Sequence, residues 1–180
     1  MTLSVGAGPP TGGARGESSC PTSDQTSWIQ TGAVRLRVAA TGRWSGVVEQ
    51  QLDTALREPP LRAMRSPGAR ILARGAFYPI QSPGTGMASL YRLPTGRLAL
   101  RLEDLRTSAY PDLFVWISKA PKPKTTEQAA DTPHIQLRAL KSTRGDQNYL
   151  LPKSLDIDAV GSVVIWWKRV GIAYTAATLE

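Results

Sequence analysis

From residue 71 to residue 177 the chain is a succession of short alternating segments broken by turn residues, a rhythm that leaves little room for anything but β-structure. The segments are 71–78, 86–93, 97–105, 113–118, 134–140, 148–151, 162–169 and 171–177. Apolar and polar side chains alternate along them with the period of two that marks strands. Leu98, Leu100 and Leu102 point one way and Arg101 and Glu103 the other, which predicts a sheet with one wet face. Ser162-Val-Val-Ile-Trp-Trp167 is apolar on both faces, as a central strand requires. Pro94-Thr95-Gly96 is a tight turn, with proline presetting its φ and glycine accepting a conformation other residues resist. The one helical candidate is a turn at 155–160, with Ser154 or Asp156 as its cap. Eight short strands without a long amphipathic helix predict an all-β, two-sheet β-sandwich over residues 70–180.

Upstream of that domain the pattern changes. Residues 1–26 are Gly, Pro, Ser and Thr with almost no large apolar side chain, so burial cannot offset their ordering entropy and a disordered head is expected. Residues 27–69 read as a small N-terminal β-hairpin extension and linker: strands at 33–38 and 44–52, a turn at Thr41-Gly42-Arg43, and an extended exit at Glu58-Pro-Pro-Leu61. An isolated hairpin is marginal in water, so this one should pack on the main domain or cover one of its edges.

Charge and cysteine content narrow the function. Of the net +8, most lies in residues 70–180, where 15 Lys/Arg face 9 Asp/Glu. That surplus suits an anionic partner. No basic run exceeds two residues, so the nucleic-acid signal is weak, and Arg-rich surface scatter is the plainer explanation. The single cysteine, Cys20, cannot form an internal bridge, and with the single histidine, His134, it makes no metal site. No stretch approaches the roughly 18 apolar residues of a membrane span. The N-terminus lacks the charged and then apolar regions of an intact signal peptide.

Catalytic constellations fail one by one. There is no Gly-x-Ser-x-Gly elbow, and Gly84-Thr85-Gly86 lacks the lysine and helix of a phosphate loop. The acidic residues Glu103, Asp104, Asp112, Asp146, Asp156 and Asp158 sit near turns or on the wet face. No catalytic or metal-binding residue is assigned. The aromatic residues Tyr91, Tyr110, Phe114, Trp116, Tyr149, Trp166, Trp167 and Tyr174 all fall in the β domain. Placed next to arginine they can stack on a base, a sugar or a haem face, and placed at alternating strand positions they serve as core.

Several segments of this domain stand out by their order and spacing. They are Gly75-Ala-Phe77, Gly86-Met-Ala-Ser-Leu-Tyr91, Leu98-Ala-Leu-Arg-Leu-Glu-Asp-Leu105 and Pro111-Asp-Leu-Phe-Val-Trp-Ile-Ser118. Leu140-Lys141, Gly145-Asp-Gln-Asn-Tyr149, Pro152 and Ser162-Val-Val-Ile-Trp166 complete the set. Together they resemble the DM-thirteen domain of Skeletor-type proteins, a module associated with DOMON domains. The resemblance implies a β-sandwich, a role in electron transfer, a haem or other redox centre, and an exported or surface location; the segment Trp44–Leu61 resembles one that precedes the domain in bacterial relatives and implies a bacterial source. A cytoplasmic location stays open, because the chain shows no signal peptide. The residues the motifs single out are Pro111, Asp112, Gly145, Asp146, Tyr149, Trp166 and Trp167. The family motif continues Ser-Val-Val-Ile-Trp-Cys, and Trp167 stands where it has cysteine. An indole supplies no thiolate, which argues against that centre here. The expectation is therefore a non-enzymatic accessory module that binds a ligand or a redox partner, with a redox protein or an anionic ligand as its partner. Polyanion or nucleic-acid binding through the basic β-domain surface is the competing reading.

Overall fold

The computed structural model describes residues 2–6, 15–17, 35–39, 41–47 and 54–180, in two units, Met1–Val48 and Glu49–Glu180. The first unit holds a small antiparallel sheet. Strand β1 (Thr2–Gly6) lies between β2 (Arg15–Glu17) and β3 (Arg35–Ala39). Two of these strands fall within the head expected to be disordered, all of whose other residues, Cys20 among them, lie outside the described set. The hairpin expected at 33–52 is corrected in its pairing. β3 lies where its first strand was expected, but it pairs with β1. Residues 43–47 form no strand, and 48–53 lie outside the described residues.

The second unit contains all eight expected strands and one more. They are β4 (Leu56–Arg57), β5 (Arg70–Pro79), β6 (Gly84–Arg92), β7 (Leu98–Thr107), β8 (Leu113–Ser118), β9 (His134–Ala139), β10 (Arg144–Leu150), β11 (Ser162–Trp167) and β12 (Ile172–Thr178). The structure is all-β, and it is one curled sheet in the order β4-β10-β7-β6-β5-β12-β11-β8-β9. The two halves expected as separate sheets are joined through β5. Its first part, to Ala76, pairs with β6, and its end, Phe77 to Pro79, pairs with β12. The curl has a local cause. Register shifts interrupt the β5–β6, β6–β7, β7–β10, β8–β9 and β11–β12 pairings, and an extra residue bends a strand and increases its twist.

Curling brings the inner faces together. Leu90, Leu100 and Leu102 from one half share a buried core with Leu113, Val115, Ile117, Val163 and Ile165 from the other. Edge strand β9 is also tied back toward β10, next to the opposite edge. Only four residues, 140–143, join β9 to β10, a reach of at most about 14 Å. Leu140 donates to the Leu113 carbonyl and Thr143 accepts from the Thr107 amide, so the link is tied to both halves.

Two segments cover the outer face. Leu61, Ala63 and Met64, in and beside a 3-10 turn, pack on Tyr91, Leu93 and Ala99. Helix α1 (Thr126–Ala130), too short to show periodicity in sequence, lays Ala129 against Trp116 and Trp166, with Thr125 as its N-cap. The turn expected at 155–160 is a 3-10 turn, Ile157–Ala159, capped by Asp156. The wet face expected of β7 is corrected at Arg101, which is only 3% exposed because chain near Glu58 crosses over it.

Gly145 shows how closely this cover fits. Its φ is +93°, and a Cβ there would collide with the Leu56 carbonyl of the parallel partner β4. Gly145→Ala is expected to destabilise the protein by about 1–3 kcal/mol, read as a lower urea midpoint.

Candidate functional site

Strand β10 presents Gln147 and Tyr149 to the inner side and Asp146 and Asn148 to the outer. On the outer side, Arg101 Nη1 donates to the Glu58 carbonyl at 3.0 Å and to Asn148 Oδ1 at 3.1 Å. Its Nη2 donates to Asp146 Oδ2 at 3.1 Å, and Glu103 lies 3.0 Å from Nε as a close ion contact. Lys141 Nζ donates to both Glu58 carboxylate oxygens, at 2.8 and 2.9 Å, and to the Asn148 carbonyl at 2.9 Å. On the inner side, Gln147 Oε1 accepts from the Tyr149 hydroxyl at 2.7 Å and from the Lys141 amide at 3.1 Å.

This cluster is a latch. It fastens the chain at Glu58 across the edge of the sheet and leaves its carboxylates engaged. Burial by itself pushes the Glu58 carboxyl up. Hydrogen bonds from Lys141 and from the Asn148 backbone and amide, together with the lysine charge, outweigh that and hold it below the ordinary carboxylate value. A carboxylate so satisfied is a poor proton acceptor at neutral pH. A shallow groove of about 460 Å³ runs beside it, with Pro60, Arg62 and Arg65 in its wall.

The second cluster is aromatic and lies at the β8–β11 end of the sheet. Asp112, at φ +62°, makes the turn into β8, and its carbonyl accepts from the Lys168 amide at 3.0 Å. Asp is one of the residues that tolerate this left-handed region. On β11, Trp167 shares the inward side with Val163 and Ile165, opposite Val164 and Trp166. Its ring lies 4.5 Å from Tyr110, tilted by 46°, and 5.5 Å from Tyr174, edge-on at 75°. Tyr110 is 47% exposed, so the cluster reaches the surface. Burial, with Tyr110 beside it, pushes the Tyr174 phenol up to about 12.

The third cluster lies on the outer face. Trp166 stacks on Trp116 with centroids 4.0 Å apart and planes 16° from parallel, and Trp116 stacks on His134 at 3.8 Å and 5°.

The seven residues singled out in the sequence thus fall in three places. Gly145, Asp146 and Tyr149 belong to the latch, Pro111, Asp112 and Trp167 to the aromatic end, and Trp166 to the outer stack. The sequence reading did not assign Glu58, Arg101 or Lys141 to a site. Arg101 had a usable signal: one cation in the middle of an otherwise apolar strand run, Leu98-Ala-Leu-Arg-Leu102.

Residues 77–179, more than half of the chain, match the family model described as electron transfer DM13. The chain belongs to the electron transfer DM13 family. No curated protein and no solved structure matches it. The DM13 match contains all three clusters except Glu58 and the cover that carries it.

A haem or other redox metal centre, as the family likeness implies, needs thiolate, imidazole or thioether ligands or, for haem iron, a phenolate. At Trp167 the DM13 domain gathers an indole and two phenols, and the Tyr174 phenol is held protonated at neutral pH. That set offers no thiolate, imidazole or thioether, and its Tyr174 oxygen could ligate iron only after losing that proton. His134, the chain's single imidazole, lies apart from these residues on the outer face, stacked on Trp116.

The latch has a pH signature. Because the folded-state value of Glu58 is lowered, its stabilising contribution is full above the unfolded value of about 4.5 and is lost as pH falls through the folded value. Lys141→Met is expected to destabilise the protein by about 1–2 kcal/mol at pH 7, a figure reduced for the partial exposure of the pair. The deficit relative to wild type should narrow as pH drops below 4.5, followed by denaturant titration across pH 3–7.

Proposed function

We propose that this DM13 domain is a non-enzymatic accessory module of electron transfer, which docks an acidic redox partner at its aromatic end. The observation that carries this reading is Tyr110, half exposed and 4.5 Å from Trp167, with the exposed residues Lys168, Arg169 and Val170 following Trp167 directly in the chain. An apolar and aromatic centre with a cationic rim is the composition of a transient interface: aromatic anchors supply contact and rim charges supply steering. Electron exchange needs close approach of π-systems, and the partly buried indole of Trp167 lies one ring below the surface. The surplus of Lys/Arg over Asp/Glu in residues 70–180 draws an acidic partner by the same long-range attraction.

A small acidic ferredoxin is the probe. Its addition is expected to quench tryptophan emission of the wild-type chain, with binding that weakens steeply as salt rises. Trp167→Phe should remove most of the quenching, and the double variant Lys168→Glu, Arg169→Glu should weaken binding by about tenfold, equivalent to about 1.4 kcal/mol. Undiminished binding and quenching in both variants would sink the docking end. The basic surface also supports polyanion binding, with Arg62 and Arg65 exposed along the groove. Retention on heparin that survives the double variant and falls with Arg62→Glu would favour that reading.

A further inference from the structure

We propose that Trp166, Trp116 and His134 form a one-electron relay across the outer face of the DM13 domain, with Trp116 as the resting place of the hole and His134 as its surface port. The inference rests on reading the chain as an electron-transfer module, but its three rings are none of those at the docking end.

Geometry is the first support. Electron-rich rings present negative faces to one another, so neutral aromatic pairs favour offset or edge contacts with centroids about 4.5–7 Å apart. The aromatic end obeys that preference, with tilts of 46°, 75° and 78°. The outer stack departs from it: centroids at 3.8 and 4.0 Å, planes within 5° and 16° of parallel. The three rings stand on the adjacent strands β9, β8 and β11, so the sheet holds them in that overlap. Removal of one electron converts face-to-face repulsion into attraction, because the resulting cation lies between two π faces.

Protonation is the second support. Trp116 Nε1 is buried and has no hydrogen-bond acceptor among the described residues. With no base to take its proton, the oxidised indole stays a radical cation: one electron leaves, the proton stays, and no bond forms or breaks.

The third support is the way the stack ends. His134 is exposed, and its Nδ1 lies 2.9 Å from the Thr132 carbonyl. A carbonyl only accepts, so Nδ1 carries the hydrogen and Nε2 the lone pair in the neutral ring. At the other end, Lys168 Nζ lies 5.2 Å from the ring of Phe114, the cross-strand partner of Trp166. Its positive charge disfavours a hole there and biases it toward Trp116. The electrons balance simply. A high-potential one-electron oxidant at His134, such as a ferryl haem of a partner, is reduced as Trp116 is oxidised. A one-electron reductant then refills Trp116.

His134 is the sole histidine of the full chain, so a ruthenium polypyridyl complex coordinated to its imidazole is a single, defined label. After flash-quench oxidation of the label, the wild-type protein is expected to show a fast return of ruthenium(III) to ruthenium(II) with a transient indole radical-cation absorption. Trp116→Phe should lose the fast phase and the transient. Trp166→Phe should keep the fast phase but shorten the radical lifetime several-fold, because the cation loses one flanking face. Trp167→Phe, which disables the docking end from the opposite side of β11, should leave the flash kinetics intact, so the two readings fail separately. A wild-type fast phase in Trp116→Phe, a transient with the spectrum of the deprotonated radical, or an unchanged lifetime in Trp166→Phe would overturn the relay. Should Trp116→Phe fail to fold, the wild-type spectrum and the Trp166→Phe lifetime still decide.

Discussion

The constraint on which the DM13 domain depends is the need to cover one face of leucines. Strand β7 alone turns Leu98, Leu100, Leu102 and Leu105 inward, all of them buried. Each such side chain is worth about 1.5–3 kcal/mol when withdrawn from water, and a flat sheet cannot withdraw its own face. Curling does so. The register shifts let the sheet bend, β5 carries it from one half to the other, and the β8–β11 half then supplies the opposing valines and isoleucines. The covers over the outer face are consequences of the same economy, because a sheet apolar on both sides at Trp116 and Trp166 needs protection on both.

Polar chemistry follows from where the curl brings chain ends together. Lys141 lies in the four-residue link between β9 and β10 and Arg101 lies on β7, yet both bind the chain at Glu58. The latch therefore joins the link, the sheet and the cover in one hydrogen-bonded cluster. Each buried charge has partners, and a buried charge without one is strongly destabilising. The aromatic groups divide instead by strand parity: on β11 one indole goes to the inner end and its neighbour to the outer stack.

Much of this fold was legible in the sequence because strands announce themselves by alternation. The stretches 113–118 and 162–167 needed only their apolar runs. Three features were not legible. Leu56-Arg57 is too short to show a period, and its parallel pairing with β10 is decided by tertiary contact. Helix α1 has five residues, less than two turns, and is held by Thr125 and by Ala129 against the tryptophans. The continuity of the sheet depends on how one strand is shared end to end, and alternation within a strand carries no information about which neighbour pairs with which part. The clusters were legible only in fragments, since Glu58 and Lys141 are 83 residues apart and meet through topology.

The shared strand has a consequence for where this domain can be said to begin. The family match starts at Phe77, inside β5 and at the point where its partner changes from β6 to β12. A piece cut there would keep the seam to β12 and lose the seam to β6. It would also leave Arg101 and Lys141 facing water where Glu58 had been. The stretch that matches the family model and the sheet that this chain builds therefore have different borders.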